Sequence, residues 1–183
     1  MEIIGVRHKE AEIKQAVIEY VDAYYPNLEN IMLELLPGYD WLRQNGILAD
    51  DFFSDIAVHY EARGVRIIPC DRKRLEMVGL TLKEYLCMAQ QNINKLRELE
   101  AKAIILGLFN GQLFGGRNKD FNEVFQQERP AVSIVGAFHG RYMKRQNPEI
   151  HFSYFCRYGL MMEKLFGWLI SKEANQTYRI HCK

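Results

Sequence analysis

Hydrophobic residues in this chain form short unbroken runs that alternate with longer stretches of helical spacing. The runs at residues 2–6, 31–36, 65–68 and 131–135 predict strands, and residues 178–181 predict a weaker closing strand. Helical spacing covers residues 10–24, a stretch from 50 or 51 to 63, and residues 81–106. Strands buried on both faces read as unbroken apolar runs, and parallel neighbours need crossover connections, which are helical here. We therefore predict an α/β fold whose mainly parallel or mixed sheet is flanked by helices.

Composition narrows the class of protein. The chain has 183 residues, 48% of them apolar and 26% charged, which suits one globular domain over residues 1–183 and excludes a disordered or fibrous chain. Lysine and arginine number 24 against 23 acidic residues, so the basic footprint of a nucleic-acid binder is missing. No apolar run reaches the roughly 18 residues of a membrane span. The N-terminus lacks a signal-peptide pattern, and the four cysteines, which include no CxxC pair, are interpreted as free thiols. We expect a soluble cytoplasmic protein.

Two predicted strand ends carry the same four-residue signature. Gly5-Val6-Arg7-His8 and Gly136-Ala137-Phe138-His139 each follow an apolar run, and in each the glycine allows a tight exit and the histidine falls just past the strand. Proteins of the α/β class place their chemistry at the carboxyl ends of parallel strands. A single histidine after a strand is usually structural, but two GxxH signatures at strand ends seldom arise by chance. The pair therefore indicates a shared site at one edge of the sheet.

Glu34 is a third irregular position, because it interrupts the apolar run at residues 31–36. An unpaired buried carboxylate is costly, so Glu34 needs water at a strand end, a basic partner or a metal ion. His8, Glu34 and His139 together would form an open ligand set for a divalent ion such as Mn, Co or Zn.

Three further polar residues are candidates for the same edge. Asp71 follows the run at 65–68; it could ligate a metal, accept from a histidine or orient an arginine, and the alternative is a turn or helix cap. Residues 107–116 contain four glycines and predict a loop, so we expect Arg117 and Asn118 to open a helix. Arg117 would hold a carboxylate or stabilise an oxyanion there, and the alternative is a solvated charge.

These segments together resemble the TraB/Tiki-type family of the EreA/ChaN-like superfamily. The matching segments occur in the family's order and are Ile3-Ile4-Gly5-Val6-Arg7-His8, Met32-Leu33-Glu34-Leu35, Ile68-Pro69-Cys70-Asp71-Arg72, Gly116-Arg117-Asn118 and Ser133-Ile134-Val135-Gly136-Ala137-Phe138-His139-Gly140. The first motif departs from the family's usual GTxH at Val6-Arg7. The resemblance implies a mixed α/β fold with the paired GxxH histidines and a glutamate in one cleft.

Members of that superfamily include metal-dependent peptidases, esterases that attack macrolide lactones and haem-binding proteins. The resemblance therefore implies a metal-dependent hydrolase of a peptide or small ester. His8, Glu34 and His139 would surround the ion, Arg117 would steady the oxyanion, and Asp71 and Asn118 would support them. Two alternatives stay open: a metal-free hydrolase with a histidine base, and a non-enzymatic protein that binds a peptide, haem or small ligand.

The remaining patterns predict structure or exclude other activities. An aromatic and methionine-rich stretch at residues 154–168 predicts a final core helix, with a homodimer surface as the alternative. His59, His151 and His181 lack the GxxH context and are expected to be structural or exposed, His151 being the nearest to the cleft. No P-loop, GxGxxG, GxSxG or HExxH motif occurs, which argues against kinases, nucleotide binders and serine hydrolases.

Overall fold

A six-stranded parallel sheet forms the centre of the molecule in the computed structural model, which describes residues 1–7, 11–46, 52–109, 112–156 and 178–182. Within those residues the strands are β1 (Glu2–Val6), β2 (Asn30–Leu33), β3 (Arg66–Pro69), β4 (Val132–Gly136), β5 (His151–Cys156) and β6 (Tyr178–Cys182). Their order across the sheet is β3-β2-β4-β1-β5-β6, and every neighbouring pair is parallel.

Helices cover both faces of this sheet. In the described chain they are α1 (Ala11–Tyr24), α2 (Tyr39–Gln44), α3 (Phe52–Glu61), α4 (Lys73–Val78), α5 (Leu82–Gln91), α6 (Ile93–Phe109), α7 (Gln112–Glu128) and α8 (Ala137–Gln146). One apolar core joins α1 and α3 to the sheet around Ile4 and Ile56, and a second joins α7 and α8 to it around Phe121 and Phe152. Because β1 and β4 are buried at every position, they appear in the sequence as nearly unbroken apolar runs, each with one buried polar residue, Glu2 and Ser133. The predicted α/β fold is confirmed.

A third apolar cluster lies at the carboxyl edge of the sheet. Its buried members are Leu36, Leu42, Tyr85, Ala89 and Leu96, which belong to α2, α5, α6 and the segment after β2. Since Leu36 follows the carboxyl end of β2, these helices stand beside the strand ends where the candidate residues were expected.

Glu61, the last residue of α3, connects that helix to α2. Its carboxylate accepts hydrogen bonds from the Tyr39 hydroxyl and from Nη1 of Arg43, the latter at 2.8 Å. Burial works to raise the pKa of Glu61, but these hydrogen bonds outweigh burial and hold the pKa below its ordinary value of 4.5.

The predicted helix over residues 81–106 is interrupted, and the predicted loop at 107–116 is wrong. Thr81 and Glu84 form a capping box at the start of α5, but Asn92 leaves the helical conformation and separates α5 from α6. Helix α6 then continues to Phe109 and α7 begins at Gln112, so most of the glycine-rich stretch is helical. The two helices pack against each other, and such packing outweighs the roughly 1 kcal/mol that each helical glycine costs.

The C-terminal part of the chain departs furthest from prediction. Tyr154 and Phe155 lie in strand β5 and not in a helix, while residues 157–168 of the predicted helix lie outside the described residues. Strand β5 was missed because its aromatic residues were assigned to the predicted helix. What makes it a strand is parallel pairing with β1 on one side and β6 on the other. The predicted closing strand is confirmed as β6.

The described residues can be compared with the predictions about membrane spans and cysteines. No helix in it is long and apolar enough to cross a membrane. Cys70 and Cys87 are free thiols, as predicted. Backbone register pairs Cys156 of β5 with Cys182 of β6. Residues 50 and 51, where the second helical stretch was predicted to begin, lie outside the described residues.

Candidate functional site

Three neighbouring strands end at the place where the candidate residues gather. Register pairs Leu33 of β2 with Pro69 of β3 on one side and with Ile134 of β4 on the other. Glu34 directly follows β2, Cys70 and Asp71 follow β3, and helix α8 follows β4. The Asp71 N–H donates to the Leu35 carbonyl at 2.9 Å, which joins the first two exits. The carboxyl ends of parallel strands thus bring distant parts of the chain together.

Glu34 lies one residue beyond β2 with its side chain 8% exposed. Oε2 accepts the backbone N–H of Gly136, the residue that caps the N-terminus of α8, at 2.7 Å. Oε1 accepts from Nη2 of Arg117 at 2.9 Å. A helix N-terminus and a guanidinium both stabilise a carboxylate. These two groups therefore offset the cost of burying the Glu34 side chain.

Arg117 is held mainly by Asp71. Nε donates to Asp71 Oδ1 at 2.9 Å and Nη2 donates to Oδ2 at 2.8 Å, a two-point pair with a carboxylate that is 1% exposed. Burial raises the pKa of Asp71, and the guanidinium opposes that rise. Within the described chain, no group accepts a hydrogen bond from Nη1 of Arg117, so that edge of the guanidinium is the one left for another molecule.

His139 lies just past strand β4, as expected, and belongs to the first turn of α8. Its Nδ1 is 2.5 Å from Oδ1 of Asn118, and its Nε2 is 3.7 Å from Glu34 Oε1. Phe121 packs against the imidazole with ring centroids 4.6 Å apart. The imidazole is therefore held on two sides, with Nε2 towards Glu34.

Two glycines bring α8 close enough to β1 to place His139 there. Gly5 lies inside β1 and not at its exit as predicted, and a Cβ at Gly5 would lie 2.7 Å from Cζ of Phe152. A Cβ at Gly140 would lie 3.2 Å from Cα of Gly5 and 2.9 Å from Cε2 of Phe152. A side chain at Gly140 would push the helix off the sheet, and one at Gly5 would displace the ring of Phe152, so both glycines serve close packing.

Helix α7 supplies three residues to the site. Arg117 and Asn118 lie within α7 and not at its start as predicted, because the helix already begins at Gln112. Phe121, which sequence reasoning missed, lies under both functional groups: the Arg117 guanidinium is 5.4 Å from its ring centroid. The signal available was helical spacing, since positions 117 and 121 share one face of a helix.

Cys70 is a second residue that sequence reasoning did not place in the site. Its Sγ–H donates to the Leu33 carbonyl at 3.1 Å, and the side chain is fully buried between the two acidic exits. Burial raises the pKa of the Cys70 thiol well above its ordinary value, and the Glu34 and Asp71 carboxylates raise it further. The thiol is thus a neutral packing group.

The structure brings Glu34, Asp71, Arg117, Asn118 and His139 into one connected cluster, which we call the edge cluster. His8 lies outside the described residues. The expectation that His151 is the other histidine nearest the cleft is wrong, because it begins β5 in register with Glu2 at the opposite edge of the sheet. His59 on α3 lies 3.2 Å from Asp22, and His181 on β6 stacks on Phe155, so both are structural or partly exposed.

The edge cluster is electrostatically suited to a cation. Two carboxylates, Glu34 and Asp71, face one guanidinium, Arg117, which leaves one negative charge while His139 is neutral. In the described part of the chain no three His, Cys, Asp or Glu side chains come together as a metal site. The pair His139 Nε2 and Glu34 Oε1 nevertheless fits two corners of one: a tetrahedral ion with bonds of about 2.1 Å holds its donors about 3.4 Å apart, against 3.7 Å here.

No family model, curated protein or solved structure matches this chain. What the edge cluster can do therefore follows from its own geometry. It offers an oriented imidazole, a carboxylate facing it, and a guanidinium edge directed away from its own ion pairs. These are the components of a site that binds and polarises a carbonyl compound.

Proposed function

We propose that the chain is a metal-dependent hydrolase of peptide or ester bonds, with its centre between Glu34 and His139. The observation that carries the proposal is the approach of His139 Nε2 to within 3.7 Å of Glu34 Oε1, inside a cluster that Arg117 and Asn118 hold in place. The segments that meet here are those that resemble the TraB/Tiki-type family, which supports the same reaction class.

The ion in this proposal is Mn, Co or Zn, held by Nε2 of His139, by Oε1 of Glu34 and by His8 as the third protein ligand. When bound, a divalent ion polarises the scissile carbonyl and brings the pKa of a coordinated water towards about 7. Asn118 and Phe121 orient the imidazole, and the backbone N–H of Gly136 at the N-terminus of α8 holds Oε2 of Glu34 in place.

Arg117 has the electrostatic task of steadying the oxyanion. Its Nε and Nη2 are tied to Asp71 and Glu34, so the guanidinium is already oriented before a substrate arrives. Nη1 then donates to the carbonyl oxygen as it gains negative charge. Donors of this kind are worth about 3–4 kcal/mol in the transition state.

A metal-free version of the same hydrolysis uses His139 as the base. Neutral His139 takes a proton at Nε2 from the attacking water as the new C–O bond forms. It returns that proton to the leaving nitrogen or oxygen as the scissile bond breaks. Glu34 stabilises the imidazolium formed between the two steps.

One observation favours a non-enzymatic alternative. Both carboxylate oxygens of Glu34 already accept hydrogen bonds from other protein groups, and Arg117 already donates three hydrogen bonds to Asp71 and Glu34. Such a self-satisfied cluster also suits a protein that holds a peptide, haem or small ligand without turning it over.

The test compares purified wild type with His139→Ala, Glu34→Gln and the control His59→Ala, whose histidine pairs with Asp22 on the surface of α1. We measure metal content and hydrolysis of a panel of peptides and aryl esters, with and without chelator. We expect metal-dependent hydrolysis that falls at least 100-fold in the two site variants and stays unchanged in the control.

The outcomes separate the candidates. Metal content and hydrolysis unaffected by His139→Ala would refute the proposal. Hydrolysis that survives the chelator yet needs His139 identifies the metal-free version. Tight ligand retention in wild type without turnover of any substrate would replace the hydrolase with the binding protein.

A further inference from the structure

We infer that Asn118 is a positioning residue that fixes the proton of neutral His139 on Nδ1, so that Nε2 faces Glu34 as a second acceptor. The catalytic consequence of this arrangement rests on the proposed function, but the proton position does not. The inference assigns a ligand chemistry to the gap between His139 Nε2 and Glu34 Oε1: a cation or a hydrogen-bond donor, and not an anion.

The geometry of the pair determines which nitrogen is protonated. Asn118 Oδ1 and His139 Nδ1 are 2.5 Å apart, and the two residues are only 7% and 6% exposed. An amide oxygen can only accept a hydrogen bond, so Nδ1 must donate, and in the neutral ring Nε2 then carries the lone pair. Free neutral imidazole more often holds its proton on Nε2, so here the protein selects the less common tautomer.

Helix α7 makes this selection rigid. Asn118 directly follows Arg117, whose two-point pair with Asp71 fixes the rotation of that helical turn relative to the sheet. One turn further on, Phe121 lies against the imidazole. The helical turn that carries Asn118 therefore cannot rotate away from His139 without breaking a buried ion pair.

The selected tautomer defines what can lie between His139 and Glu34. Nε2 with its lone pair and Oε1 of Glu34 are 3.7 Å apart, and both atoms are acceptors. Two acceptors at this distance repel unless a positive ion or a donated proton lies between them. The arrangement thus fits a divalent cation, and the neutral amide orients the ring without itself contributing a charge.

The experiment reads the proton position directly, by long-range ¹H–¹⁵N NMR of histidine-labelled protein at a pH where His139 is neutral, with His139→Ala for assignment. We expect Nδ1 to be the protonated nitrogen in wild type. In Asn118→Leu that signature is lost, while Asn118→Asp, which keeps an acceptor oxygen, restores it. The matched control is Asn122→Leu on the same helix, whose amide accepts from Asn147 at 2.7 Å and which leaves the signature unchanged.

Each outcome bears on the inference separately from the proposed function. A proton on Nε2 in wild type, or an Nδ1 signature that persists in Asn118→Leu, overturns the inference. Metal affinity or hydrolysis reduced about 10–100-fold in Asn118→Leu and recovered in Asn118→Asp supports both proposals. The expected signatures in a protein that binds no metal and hydrolyses nothing uphold the positioning role and refute the hydrolase alone.

Discussion

Replacing Arg117 by methionine removes the one positive charge that the edge cluster places between two carboxylates. Asp71 is 1% exposed and Glu34 8% exposed, and both lose their guanidinium partner while staying buried. Methionine preserves much of the side-chain volume, so the packing against Phe121 is largely kept and the change is mainly electrostatic.

The magnitude follows from the burial of the partners. Removing one member of a buried ion pair costs about 3–5 kcal/mol, because a buried charge is left uncompensated. For a chain of this length each kcal/mol lowers the melting temperature by about 2–4 °C, which predicts a fall of about 6–20 °C near pH 7. Burial raises the pKa of Asp71, and in the variant the guanidinium no longer opposes that rise, so the Asp71 carboxyl takes up a proton as the pH falls and the deficit relative to wild type shrinks.

The assay is urea and thermal unfolding at pH 7 and pH 4.5. The matched control is Arg66→Met, because Arg66 pairs with Glu128 at 3.1 Å but is 60% exposed and should lose at most about 1 kcal/mol. Adding Glu34→Gln and Asp71→Asn to Arg117→Met should recover a large part of the loss. If Arg117→Met costs no more than the control, or if neutralising both carboxyls recovers nothing, the cluster is not held by charge compensation.

Three other predictions follow from packing and titration. Gly5→Ala should lower stability by about 1–3 kcal/mol in urea unfolding, because the new Cβ would overlap the buried ring of Phe152; an unchanged midpoint would contradict this. Thiol labelling followed by peptide mass spectrometry should modify exposed Cys87 and spare Cys70, whose pKa burial has raised; equal labelling of the native protein would show that the edge cluster opens readily. Because the pKa of Glu61 is lowered in the folded state, the stability it contributes is present above pH 4.5 and lost as the pH falls through the lowered value. Glu61→Gln should remove that part of the acid dependence, and an identical pH profile would exclude it.

Local pattern was sufficient for five of the six described strands and for identifying candidate residues. Residues 2–6 and 131–135 were identified as strands because burial on both faces leaves mostly apolar side chains, which is visible in the sequence without knowledge of the neighbours. Glu34 was conspicuous for the converse reason, as a charge in a run that must be buried. The histidine of the second GxxH motif was likewise identified from its place after a strand.

Helix boundaries in the glycine-rich stretch could not be read in this way. The free-energy cost of a glycine in a helix depends on that position alone, whereas the packing of α6 against α7 that offsets this cost involves residues from two helices. The sequence pattern does not show that these two helices come into contact. Strand β5 was likewise not visible in the local pattern, because it is a strand through its pairing with β1 and β6 on either side.

Burial and strand ends leave local patterns, so the amino-acid sequence was sufficient to predict the fold class, the edge of the sheet at which the polar candidates lie and most of the residue types found there. The partners of these residues follow from the three-dimensional arrangement alone: Arg117 joins Asp71 to Glu34, Asn118 contacts His139, and His151 lies at the far edge. Strand order, helix rotation and register set those distances, and they arise from contacts between residues far apart in the chain.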